Sequence, residues 1–215
     1  MSRTTEEQFP ALSARIPDAE ARAHFTWPFL RASEVFDELV DSASAEVLRR
    51  AGAWPVAPGT EPAALVAARG WAPRSLPLVA FVHRKLAAAG HLVASGGGYA
   101  PSGTQPGDLA ALEDELAAID ADSAVAGEAV RILVEEAGSF LSGEKTGEEI
   151  LFRPDRLPLW FRYFSNRNLL YGVNNSLGAL ALSRVLPASG ARVLEIGGGA
   201  GSAAEAALAH LGGRV

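Results

Sequence analysis

The stretch 191–202, which reads ARVLEIGGGAGS, constrains the fold of this chain more than any other. It begins as a short apolar run with an acid, Glu195, near its end, and it continues into a run of glycines. The alanine-rich residues 202–211 that follow are low in glycine and proline, which predicts a helix. Strand, glycine turn and helix in this order are typical of the first unit of a doubly wound α/β sheet, where the turn and the helix start lie next to a ligand.

Two ligand classes fit this turn. Residues 199–204 satisfy the dinucleotide pattern G-x-G-x-x-G/A in its alanine-ending form, whereas 195–201 satisfy E-x-G-x-G-x-G completely. The second pattern resembles the first motif of class I S-adenosylmethionine (SAM) methyltransferases. A buried strand before a glycine loop without any ligand is the third interpretation. The resemblance implies SAM as cofactor, with Glu195 at its amino group and with four glycines under its methionine part: Gly197, Gly198, Gly199 and Gly201.

The motif lies close to the end of the 215 residues. A SAM-binding sheet needs several βα units, and one βαβ unit alone takes about 30 residues. Residues 212–215 predict a turn into a second strand, and catalytic residues are expected beyond Val215. We therefore expect the front part of a longer methyltransferase, whose residues 191–215 form the truncated start of a Rossmann-like SAM-binding sheet.

Composition narrows the class of protein. The chain is 48% hydrophobic and contains no cysteine, which excludes disulfides and thiolate metal sites. No signal peptide or membrane-spanning run is visible, so the sequence predicts a cytoplasmic protein without a membrane partner. The net charge of −6 argues against a nucleic-acid partner. His83 and His91 offer too few ligands for a metal ion, and no metal site is predicted.

The first 107 residues are predicted to form a mainly helical domain with a small hairpin. Helices are predicted over 18–24, 33–50, 62–69 and 75–89, and the hairpin pairs 91–94 with a strand that begins at Tyr99. This order, with the run HRKLAAAGHLVASGGGYAPSG, resembles the winged-helix domain of small-molecule O-methyltransferases, which implies a lid or a homodimer. Winged helices also bind DNA, for which Arg74, Arg84 and Lys85 would have to supply the phosphate contacts.

Residues 108–190 are predicted to be a helical lid or connector, with helices over 108–120, 124–141 and 160–186. The segment 140–152, with a Gly-Glu pair and a terminal Leu-Phe, resembles the part that precedes the methyltransferase domains of polyketide synthases. That resemblance implies an acyl substrate on a carrier protein.

The predicted helix 160–186 is unusual because asparagine is a mediocre helix former. Its asparagines could cap a break near Gly172, satisfy buried backbone near a glycine-rich turn, or contact the ligand. Tyr171 and Asn175 lie one helical turn apart on one face, and we predict that they contact the ligand. The asparagines are Asn166, Asn168, Asn174 and Asn175.

Together these patterns predict a SAM-dependent methyltransferase that acts on a small-molecule or carrier-bound acyl substrate. A non-catalytic dimerisation or docking module and a DNA-binding winged helix are the alternatives.

Overall fold

The computed structural model describes residues 3–212 and is mainly helical, with one small two-stranded antiparallel sheet in that range. The elements in chain order are α1 (Phe9–Ser13), α2 (Ala19–His24), α3 (Trp27–Arg50), α4 (Pro62–Ala68), α5 (Leu76–Ala88), β1 (Leu92–Ser95), β2 (Gly98–Pro101), α6 (Leu109–Ile119), α7 (Ala124–Ser142), α8 (Gly147–Leu151), α9 (Leu157–Tyr163), α10 (Leu169–Val185) and α11 (Ser202–Leu211).

The chain divides into two compact units. The first comprises Val35–Glu115 and Ala126–Leu157, and the second comprises the described residues of 3–34, 116–125 and 158–212. The predicted domain limits at 107 and 190 stay predictions.

The first unit contains the predicted hairpin, which is confirmed. Strand β1 pairs antiparallel with β2, with Leu92 opposite Pro101 and Ser95 opposite Gly98. Leu92 is 1% exposed because it belongs to the apolar core of this unit. The buried members of that core are Ala45, Leu48, Ala53, Val56, Val82, Leu86 and Leu92.

Helix α3 begins earlier than the sequence predicts. Ser33, where the predicted helix begins, lies inside the helix, and its hydroxyl donates to the carbonyl oxygen of Phe29 at 2.8 Å. Because this hydroxyl bonds a carbonyl of the preceding helical turn, it does not cap the N–H groups at the start of a helix. The predicted start at Ser33 is therefore wrong, whereas the helix itself and its end at Arg50 are confirmed.

In the second unit the predicted helix 160–186 is two helices. Helix α9 ends at Tyr163 and α10 begins at Leu169. Asn168, which is 1% exposed, caps α10 by accepting from the Leu170 N–H at 3.2 Å, and its amide nitrogen donates to the carbonyl of Tyr163 at 2.8 Å. The break therefore precedes Asn168 and does not lie at Gly172, because this asparagine satisfies backbone groups on both of its sides.

The predicted strand at 191–196 is also absent, and the Rossmann-like sheet is not evident in residues 3–212. The segment is irregular, and Leu194 and Ile196 are 82% and 87% exposed. A strand exists only when a neighbouring strand accepts its backbone hydrogen bonds, and the described residues place none beside it. The second strand predicted near Val215 lies outside the described residues. The helix predicted from Ser202 to Leu211 is confirmed.

None of the helices between residues 3 and 212 combines the length and the apolar character needed to cross a membrane.

Candidate ligand site at the glycine turn

Three of the glycines before α11 have left-handed backbone conformations. Gly197, Gly199 and Gly201 have φ values of 79°, 52° and 75°. The N–H of Gly201 donates to the carbonyl oxygen of Gly198 at 2.7 Å, which closes the turn directly before the helix. Residues with a Cβ adopt this conformation at a cost, so the turn requires glycine for its shape.

The turn is open on the side where side chains would stand. A Cβ added at Gly197 or at Gly201 would meet no atom within 4 Å, and one added at Gly199 would meet only the carbonyl oxygen of Gly197, at 3.9 Å. Residues 192–200 are exposed. Backbone groups of this turn are consequently accessible to a ligand that lies against them.

The carboxylate of Glu195 lies across this turn. Its Oε2 is 3.3 Å from the position that a Cβ on Gly198 would occupy. Gly198 has no positive φ, so its glycine matters here for the close approach of the acid rather than for backbone conformation. The turn thus presents a negative charge beside its open backbone.

Helix α11 begins immediately after the turn, with Gly201 as its N-cap. The first N–H groups of a helix have no intrahelical partner and favour polar ligand atoms with negative charge. A second acid, Glu205, lies in the first turn of this helix. The site therefore combines N–H donors with two carboxylates, a set suited to a ligand that carries both signs of charge.

An asparagine outside the motif binds the start of this helix. The Asn166 amide nitrogen donates to the Ser202 carbonyl at 2.7 Å and to the Glu205 carboxylate at 2.8 Å. Asn175 donates from its amide nitrogen to Oδ1 of Asn166 at 2.8 Å. One of the three explanations for the asparagines, satisfaction of backbone near the glycine-rich turn, therefore holds for Asn166.

The two ligand contacts predicted on α10 have different surroundings. Asn175 is joined to the start of α11 through Asn166, as described above. Tyr171 packs in an aromatic cluster, with ring centroids 5.3 Å from Phe164 and 6.4 Å from Tyr163. Burial, with a smaller effect of Tyr171, raises the pKa of Tyr163, so this phenol stays neutral at physiological pH. Contact of Tyr171 or Asn175 with a ligand stays a prediction.

The sequence alone does not identify Asn166 as a site residue. The excess of asparagines before the glycine motif indicates the segment, but it does not indicate which asparagine makes the contact with α11. The contact joins residues 36 and 39 positions apart, a separation that periodicity does not report.

Two of the three cations considered for DNA binding, Arg74 and Lys85, have partners within the first unit. Arg74 donates to the carbonyl oxygens of Gly143 at 2.7 Å and Lys145 at 3.0 Å. The ammonium of Lys85 lies 3.3 Å from a carboxylate oxygen of Asp37 and 3.4 Å from one of Asp41. Phosphate contacts by these two residues would compete with the protein's own acceptors.

Metal ligation has no visible basis in this part of the chain. Across residues 3–212 no three His, Cys, Asp or Glu side chains are grouped to hold a metal ion. His83 is buried in the first unit, where its Nδ1 lies 2.8 Å from the carbonyl oxygen of Val79.

No protein-family model matches this chain, and no curated protein matches it. Among solved structures, the chain is similar to the crystal structure of selenomethionine-substituted CurJ carbon methyltransferase, with a TM-score of 0.67 and 20% sequence identity. Over this match the chain shares the fold of that carbon methyltransferase structure. The match covers 96% of this chain and 55% of the crystallised CurJ chain, so this chain spans little more than half the length of the structure that it matches.

Proposed function

We propose that this chain is the SAM-binding front part of a methyltransferase. The observation that carries the proposal is the carboxylate of Glu195, which lies across Gly198 in an open glycine turn at the start of α11. The fold of a carbon methyltransferase over 96% of the chain supports the same reaction class. The similarity is a likeness of fold, and the reaction comes to this chain as our proposal.

The charges at the turn support SAM over a dinucleotide as the ligand. A dinucleotide would bring its pyrophosphate to the helix start, where Glu195 and Glu205 would repel it. SAM instead carries a carboxylate, an ammonium and a sulfonium. The N–H groups at the start of α11 suit the carboxylate, and Glu195 suits the ammonium. The site therefore favours a zwitterionic, cation-bearing ligand over a phosphate.

When bound, SAM supplies a methyl group on a sulfonium, which a nucleophile can attack. The residues of this chain would bind and orient the methionine part, and alignment of this kind supplies much of the rate of a group transfer. We propose a carbon nucleophile as acceptor because the CurJ protein is a carbon methyltransferase. A carrier-bound acyl substrate is proposed from the resemblance of 140–152 to polyketide synthases. Catalytic residues are expected outside this chain.

Calorimetric titration of the 215-residue chain tests the cofactor. We expect SAM to bind and NAD not to bind. Gly199→Val should abolish SAM binding, because its side chain would occupy the ligand's place at the turn. Glu195→Gln should weaken binding less, by about 1–3 kcal/mol for a charge-assisted hydrogen bond.

Gly190→Val is the matched control for Gly199→Val. Gly190 also has a positive φ, of 68°, and no atom lies within 4 Å of its Cβ position, but it precedes the motif. It therefore carries the same kind of backbone strain without occupying the turn. Equal SAM affinity of Gly199→Val and Gly190→Val would contradict the assignment, as would tighter binding of NAD than of SAM.

A docking or dimerisation module is the second candidate, and the exposed apolar segment before the turn favours it. Leu194 and Ile196 are 82% and 87% exposed, and neighbouring Val193 is 50% exposed. Sedimentation analysis of the chain and of Leu194→Asp tests this candidate. A concentration-dependent dimer that the substitution dissociates would support it, whereas a monomer at all concentrations would remove the homodimer.

A further inference from the structure

The side-chain amide of Asn166 has contacts in two directions. Its nitrogen faces two acceptors on α11, the carbonyl of Ser202 and the carboxylate of Glu205, at 2.7 and 2.8 Å. Its oxygen faces one donor on α10, the amide nitrogen of Asn175, at 2.8 Å. This arrangement uses both hydrogens of the nitrogen, so the orientation of the amide follows from its partners. No other natural side chain of this size supplies two donors and an acceptor in this geometry.

The backbone of Asn166 is also in close contact with α10. A Cβ added at Gly172 on α10 would lie 2.4 Å from the carbonyl oxygen of Asn166, so this helix approaches the 164–168 connection as closely as glycine allows. Two residues later, the buried side chain of Asn168 bonds the backbone of Tyr163 and of Leu170. The Asn166 amide nitrogen, which donates to α11, therefore extends from a backbone segment that α10 and Asn168 hold in place.

We propose that Asn166 is the positioning residue of the glycine turn. It ties the first turn of α11 to α10 at Ser202, one residue after the N-cap Gly201, and so sets the direction in which the turn and the helix N–H groups face the ligand. It also holds the Glu205 carboxylate to the protein. The ligand part of this inference rests on the proposed function, whereas the tie between the helices does not.

Asn166→Asp tests the proposal with almost no change in side-chain size. Aspartate has no donor, so it would oppose both the Ser202 carbonyl and the Glu205 carboxylate. We expect the Glu205 N–H, which donates to the Gly201 carbonyl at 2.9 Å, to exchange with deuterium about tenfold faster or more. SAM affinity should fall roughly tenfold to hundredfold, the loss expected for a hydrogen bond to a charged group.

Asn174→Asp is the matched control, because Asn174 is an exposed residue of α10 and receives the same chemical change. The double variant Asn166→Asp with Glu205→Gln should recover part of the lost affinity, since a glutamine amide can donate to the new carboxylate. A role limited to overall stability would not produce this specific recovery.

A second pair of variants tests the contact between α10 and the backbone of Asn166 and leaves the Asn166 side chain unaltered. Gly172→Ala pushes against the Asn166 carbonyl, whereas Gly178→Ala lies on the same helix with no atom within 4 Å of the added Cβ. Faster exchange at Glu205 in Gly172→Ala and not in Gly178→Ala would support the proposal.

The outcomes separate the two claims. If the wild-type chain binds no SAM, the proposed function fails, and the exchange rates at Glu205 alone decide whether Asn166 positions the turn. If Asn166→Asp matches Asn174→Asp in both exchange and affinity, the positioning role is overturned. Should Asn166→Asp not fold, Asn166→Ser and Asn174→Ser are compared in the same two measurements, and equal values overturn it as well.

Discussion

Two glycine-rich segments of this chain resemble each other in sequence and differ in structure. Ser95-Gly96-Gly97-Gly98 forms the tip of the β1–β2 hairpin in the first unit, and 197–201 forms the open turn in the second. Tyr99, directly after the hairpin tip, donates to and accepts from Thr60 at 2.9 and 3.1 Å. The open turn follows an exposed apolar segment with no strand beside it in residues 3–212.

Glycine therefore serves two purposes in this molecule. At Gly98 it permits close approach, because a Cβ there would lie 2.3 Å from the Thr60 carbonyl oxygen. At Gly201 it permits a left-handed φ of 75° where no neighbour is close. A packed glycine stabilises a fold, whereas an accessible one leaves backbone free for a ligand. Three pairs of variants test this contrast.

The largest effect is expected from one leucine in each region. Leu92→Ala, in the core below the hairpin, should reduce the free energy of unfolding by about 2–5 kcal/mol, because it leaves a cavity. Leu194→Ala, before the open turn, should change it by less than about 0.5 kcal/mol, because that side chain already lies in water. Urea unfolding of both variants measures the two values. Equal losses would mean that the segment 191–196 is packed and that the contrast is wrong.

Substitution of Gly98 and of Gly201 by alanine and by asparagine distinguishes close approach from left-handed backbone conformation. Gly98→Ala should cost about 1–3 kcal/mol by overpacking, and Gly201→Ala about 1–2 kcal/mol by left-handed strain. Asparagine tolerates the left-handed region. Gly201→Asn should therefore lose less free energy of unfolding than Gly201→Ala, whereas Gly98→Asn should lose at least as much as Gly98→Ala. Thermal or urea unfolding measures all four. Recovery at position 98 would refute the role assigned to Gly98.

Acid should weaken the hairpin unit through His83, whose ring lies 5.4 Å from that of Tyr99. Burial, opposed in part by the Val79 carbonyl, lowers the pKa of His83 from its ordinary value of 6.5. The unfolded chain therefore binds the proton more readily than the folded chain. The contribution of His83 to the free energy of unfolding is complete above pH 6.5 and is lost as the pH falls towards the folded-state pKa. The slope should reach at most about 1.4 kcal/mol per pH unit.

His83→Gln should lose this slope in urea unfolding between about pH 7.5 and pH 5.5, because its amide can donate to Val79 but cannot titrate. His210→Gln, at an exposed position on α11, is the control and should keep it. An unchanged slope in His83→Gln would assign the acid sensitivity to other groups.

Local patterns were sufficient for many elements. The hairpin, the helix from Ser202 to Leu211 and the end of α3 at Arg50 all follow from side-chain periodicity and from glycines at their limits. Helix α8 was missed, although Thr146 and Glu149 form a complete capping box at its start, because the helix is only five residues long and has little periodicity. The motif 195–201 was readable because its residues are contiguous.

The chain's own order of residues thus determined the hairpin, most helices and a glycine turn with an acid at its edge, since each depends on neighbours within a few positions. The break before Asn168, the contact of Asn166 with α11 and the absence of a strand at 191–196 become visible in the folded chain alone. These depend on groups distant in sequence: the Ser123 hydroxyl, 45 residues away, which donates to Oδ1 of Asn168 at 3.0 Å, an acceptor 36 residues away for Asn166, and a neighbouring strand for 191–196. Local propensity does not report whether such partners are present, and a strand without one gains no hydrogen bonds to replace those with water.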